Sequence, residues 1–127
     1  MNLSSFAAVG LGAALGAWLR WGLGVLLNPW LPTLPLGTLA ANLIGGYLVG
    51  VAVTVFHINV DLPQEFKLFV ITGFLGGLTT FSTFSAEVLA LIQRAEYAWA
   101  AGTASLHLCG SLLLTGLGIY TVLQLAK

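Results

Sequence analysis

Four long apolar stretches constrain this chain more than any motif in it: roughly Phe6–Leu27, Leu36–Phe56, Phe66–Ile92 and Tyr97–Leu125. Each reaches the ~20 residues that a helix needs to cross a bilayer. No water satisfies the backbone there, so a spanning segment is a helix or part of a closed barrel. Strict apolar/polar alternation is absent, which leaves helices. The composition agrees. The chain is 58% apolar and 6% charged, whereas a soluble domain carries about 25% charged residues. Four Lys/Arg and four Asp/Glu in 127 residues cannot cover a surface that faces water. These features predict an all-α integral membrane protein, one transmembrane domain over residues 1–127 with four spanning helices.

The connections between the stretches are short. Three prolines in NPWLPTLP (Asn28–Pro35) end the first, HINVDLPQE (His57–Glu65) joins the second to the third, and RAEYA (Arg94–Ala98) joins the third to the fourth. The opening MNLSSF lacks the basic region of a signal peptide, so the first stretch is expected to remain as a span. Trp18, Trp21, Trp30 and Trp99 lie near segment ends or loops, where an interfacial belt places aromatic rings. The lone Cys109 is read as a small apolar filler. A net charge of zero offers no basic patch for nucleic acid.

With four spans, Lys67 and Lys127 fall on one side of the membrane and Arg20 and Arg94 on the other. Two cations against two give almost no orientation preference by the positive-inside rule. Either another factor fixes one orientation, or both are inserted and pair as an antiparallel dimer, like the inverted repeats of transporters. The pairs Gly12/Gly16, Gly46/Gly50 and Gly73/Gly77 have the GxxxG spacing that lets helices approach closely. They are read here as support for an oligomer.

Polar residues at membrane depth carry the functional signal. Thr38, Asn42, Gly46 and Gly50 recur every four residues and form one stripe on the second span. Asn42 offers two amide hydrogens and an acceptor without a charge, suited to a helix–helix hydrogen bond or to a pathway lining. Thr103, His107, Ser111 and Thr115 repeat at the same interval on the fourth span, a polar track of roughly three turns. The third span contains GGLTTFSTFS (Gly76–Ser85). Two glycines followed by Thr79 and Thr80 are poor helix formers in mid-span. A break there would expose carbonyls able to bind a cation. Phe81 and Phe84 share a face beyond it, and the positive edges of their rings suit an anion as well as core packing. Arg20 and Glu87 either pair with each other or line vestibules.

This pattern resembles a known family. GGLTTFSTFS, the GTLAANLIGG of the second span, the LRW of the first and the GSLLLTGLG of the fourth are similar to the Fluc fluoride channels, over essentially the whole chain. The resemblance implies antiparallel, dual-topology homodimers of four-helix subunits in the cell membrane. It further implies two fluoride pathways per dimer, a central structural sodium ion, and passive fluoride efflux that protects against fluoride toxicity. By position, Phe81 and Phe84 resemble the ring pair that meets fluoride, and Asn42 the pore amide. Ser111 and Thr115 resemble the polar track, and Thr38, Ser82 and Thr83 the hydroxyl group beside the outer pathway. The carbonyls of Gly76 and Thr79 resemble the sodium ligands. Arg20 and Glu87 fit the family as vestibule or structural charges. The alternatives are a proton-coupled exporter of the small multidrug type, which needs an acid that the first span lacks, and an inert assembly subunit. No nucleophile–base pair, metal set or phosphate loop points to an enzyme.

Overall fold

A computed structural model describes all residues, 1–127. Helix α1 (Leu3–Leu27) begins at Asn2, whose Oδ1 accepts the Ser5 N–H at 2.8 Å, as N-cap side chains do. A short 3-10 turn (Asn28–Trp30) follows, and α2 (Leu36–Ile58) begins behind Pro35. The third span is composite. It starts as α3 (Gln64–Lys67), widens into a π-helical stretch (Leu68–Leu75), and finishes its first half as α4 (Gly76–Leu78). After the break at Thr79–Thr80 it resumes as α5 (Phe81–Gln93), and α6 (Tyr97–Leu125) completes the chain. Four spans, Leu3–Trp30, Leu36–Ile58, Gln64–Gln93 and Tyr97–Leu125, are long and apolar enough to cross a membrane. The all-helical, four-span class is therefore the one the apolar stretches predict.

The break divides the third span between two partners. The part before it packs on α1, the part after it packs on α6, and α2 also packs along α6. Glycines set these distances. A Cβ on Gly12 would run into the Phe69 carbonyl, and one on Gly16 into the Phe74 carbonyl. From the other side, a Cβ on Gly73 would lie 2.7 Å from the Val9 carbonyl. Gly46 and Gly50 lie against Ser111 and Thr115 of α6 in the same way. This corrects the reading of the three GxxxG pairs as oligomer contacts. All three lie within one subunit, because two small residues a turn apart allow close backbone approach to whichever helix the short loops bring alongside.

The core is thin. Only Leu34, Ala41, Ala52, Leu75, Leu78, Leu91 and Ala100 are buried hydrophobics, while Trp18, Trp21, Leu112, Leu113 and many others face outward. In water such a surface would aggregate; in a bilayer it meets acyl chains or another apolar subunit.

Candidate functional site

The site is built at the break. Gly76 and Gly77 weaken the helix, and the β-branched Thr79 and Thr80 adopt extended conformations with ψ of 155° and 118°. In an unbroken helix the Thr80 N–H would bond the Gly76 carbonyl; here it donates to Asn42 Oδ1 at 2.8 Å. Likewise the Thr83 N–H, which would bond the Thr79 carbonyl, donates to Thr80 Oγ1 at 3.1 Å. Thr80 is thus the N-cap of α5. The carbonyls of Gly76 and Thr79 have both lost their usual helical donors, and Gly76 is exposed on the subunit surface. The Gly77 carbonyl is different: Arg20 Nε donates to it at 3.1 Å.

Asn42 closes the gap from α2. Its Nδ2 donates to the Thr80 carbonyl at 3.1 Å, so one amide holds both backbone groups of one residue. The same Nδ2 lies 2.9 Å from His107 Nδ1 on α6. Both amide hydrogens are therefore committed within the subunit. The imidazole of His107 also sits against the Phe84 ring, with centroids 4.6 Å apart. Phe84 in turn meets Phe81 edge to face, at 5.5 Å and 61°. Phe81 is 79% exposed, which leaves most of its ring free to meet another body.

Two cavities meet at this point. A groove of about 330 Å³ runs between α2, α5 and α6 and holds Asn42, Phe81, Phe84, Ser111 and Thr115, with His107 in its wall. A second cavity, about 290 Å³, lies between α1, α2 and α5 and holds Arg20, Asn28, Thr38 and Thr83. Thr80 borders both. No acid, Lys or Arg lines the larger groove. Its Ser111 hydroxyl forms no hydrogen bond within the chain, whereas the Thr115 hydroxyl donates to the Gly46 carbonyl at 2.8 Å.

Seven of the eight pathway residues named from the sequence fall in these two cavities, five in the first and two in the second. Ser82 is in neither; it is exposed, with Oγ 3.2 Å from Thr80 Oγ1. The suggested Arg20–Glu87 ion pair does not form. Arg20 is held by the Gly77 carbonyl across from α1, while Glu87 Oε2 accepts the Thr38 hydroxyl at 2.7 Å. The one ion pair is Arg94–Glu96, on the surface. The sequence reading left out Thr80 as a site residue, although a Thr directly before the resumed helix at Phe81 is an N-cap signal. It also left out Asn28, whose Oδ1 accepts the N–H groups of Gly37 and Thr38 at 2.7 and 3.3 Å and so fixes the start of α2. Nothing local in the sequence signals that second cap, because the two partners sit on opposite sides of a proline-rich turn.

Residues 7–119 match the family described as CrcB-like protein, Camphor Resistance (CrcB). The chain belongs to the CrcB-like family. Relatives within it are very similar along their whole length. One from Nitrosospira multiformis is 62% identical over 127 residues, covering 100% of this chain and 99% of that protein. One from Dechloromonas aromatica is 64% identical over 96% of this chain and 90% of its own. A third, from Cupriavidus taiwanensis, is 61% identical over 99% of this chain and 100% of its own. Each of the three is named Fluoride-specific ion channel FluC. With four apolar spans, this CrcB-like chain is a multi-pass protein of the cell membrane.

Proposed function

We propose that the chain is a fluoride-selective channel that lets fluoride leave the cell passively and so limits fluoride toxicity. It is a channel and not an enzyme. The observation that carries this reading is the 62% identity, end to end, with a protein named for that selectivity. The groove geometry supports it. Fluoride holds its water tightly, so a pathway must supply hydrogen-bond donors and positive ring edges in exchange. Ser111 supplies an uncommitted hydroxyl, and Phe81 and Phe84 supply edges. Asn42 and Thr115 line the same route while holding its backbone, Thr38 and Thr83 serve the approach on the Arg20 side, and Ser82, exposed beside Thr80, serves the approach from outside both cavities. A fixed positive charge in the groove would bind the anion too strongly for conduction, and none is there.

The working unit in this proposal is an antiparallel homodimer with dual topology and two pores. The even division of Lys and Arg between the two membrane sides supports it. So does the exposed Phe81, on a groove that one subunit leaves open. A structural sodium ion fits the carbonyls of Gly76 and Thr79. Both are oxygen donors freed from helix bonding, and two subunits would present four of them. When bound, the ion would supply fixed positive charge at the dimer centre. Arg20 and Glu87 act as vestibule or structural charges, Arg20 tied to the Gly77 carbonyl beside the break and Glu87 to the Thr38 hydroxyl at the start of α2.

The test is ion release from liposomes that hold the purified protein, with fluoride or chloride inside and a potassium ionophore to relieve voltage. Fast fluoride release with negligible chloride release is the expected result. Equal release of both, or none from verified folded protein, refutes the proposal.

A further inference from the structure

Asn42 leaves no freedom to the proton position on His107. Its Oδ1 accepts from the Thr80 N–H and its Nδ2 donates to the Thr80 carbonyl, so the amide cannot be flipped without setting two like groups against each other. Nδ2 is therefore the atom 2.9 Å from His107 Nδ1, and that nitrogen must accept. A neutral imidazole with a bare Nδ1 carries its proton on Nε2. His107 is only 4% exposed, and its Nε2 has no partner in the chain.

We propose that His107 is a positioning residue of the pathway: as the Nε2–H tautomer it holds the Asn42 amide and, through it, the Thr80 peptide that borders both cavities. The Phe84 ring packed on the imidazole fixes its tilt, so the acceptor points at Asn42 and not along α6. Without that acceptor one amide hydrogen is released, and Asn42 keeps only its two bonds to the Thr80 peptide, with nothing on α6 to hold the amide in place. The peptide at which the two cavities meet is then held less firmly. As a statement about conduction, the proposal rests on the fluoride-channel reading; as a statement about the tautomer, it does not.

Two measurements test it. The first is nitrogen NMR of the purified protein labelled with 15N-histidine, in detergent micelles. The chain has only His57 and His107, so His57→Gln leaves one imidazole to observe. A protonated Nε2 beside an unprotonated Nδ1 is expected; a protonated Nδ1 overturns the proposal, whether or not the protein conducts. The second is fluoride release from liposomes with His107→Phe and His107→Gln. Phe keeps a ring against Phe84 but has no acceptor, and Gln restores an acceptor. Loss of one such bond predicts a fall in flux of about threefold in His107→Phe, largely recovered in His107→Gln. Unchanged or faster flux in His107→Phe overturns the proposal, as does equal loss in two folded variants. If His107→Phe does not fold, the tautomer measurement decides. Failure of the wild type to conduct would count against the channel reading and not against the Asn42–His107 contact.

Discussion

Replacing Asn42 by Ala tests the break and the pathway together. The side chain makes three hydrogen bonds, to the Thr80 N–H, the Thr80 carbonyl and His107 Nδ1. Interhelical hydrogen bonds in membrane proteins contribute about 0.6 kcal/mol each, so the bonds alone amount to about 2 kcal/mol. The Thr80 peptide would also be left without partners at the point where the helix is already broken. Stranding a buried polar group costs about 1–3 kcal/mol, and the adjoining cavities hold this toward the lower end. The combined loss is about 3 kcal/mol. For a chain of this size that lowers an apparent Tm by roughly 10 °C. Helical circular dichroism during heating reads the stability, and fluoride release from liposomes reads the flux of protein that remains folded at 25 °C. Flux is expected to fall at least about tenfold, because the fixed peptide between the two cavities is lost. A Tm within about 2 °C of the wild type would show that Asn42 does not hold the break. Wild-type flux would remove it from the pathway.

Phe81→Ile removes a ring edge from a side chain that is 79% exposed, so it should cut fluoride release sharply while helicity and Tm stay close to the wild type. Wild-type release would refute the ring's role. Gly50→Ala places a methyl group against the Thr115 carbonyl and 3.1 Å from the Ile119 nitrogen, and should destabilise by about 1–3 kcal/mol. Gly102→Ala meets nothing within 4 Å and should stabilise α6 by up to about 1 kcal/mol, so thermal melts of the two should move in opposite directions. Thr80→Ala removes the cap of α5 at a cost of about 1 kcal/mol, and Thr80→Ser should recover most of it in the same melt.

How much of this was readable before the fold differs from residue to residue. The composition and the lengths of the apolar stretches decide the membrane, the helices and their number, because a bilayer leaves the backbone no other way to be satisfied. Local propensity decides that the third span breaks in the run Gly76–Thr80. The period-four spacing decides that Asn42 shares a face with Thr38, and Ser111 with Thr115. Spacing could not decide which helix each face would meet. Gly12 and Gly16 read as contacts between chains and turned out to hold α1 against the third span. Arg20 and Glu87 read as a possible pair, and each has another partner: Arg20 the Gly77 carbonyl beside the break, Glu87 the Thr38 hydroxyl in the first turn of α2. Only the tertiary structure brings Asn42, Thr80 and His107 together across three helices. A side-chain amide has the same chemistry whichever helix it meets; its role is set by the backbone groups that the fold leaves unsatisfied within its reach.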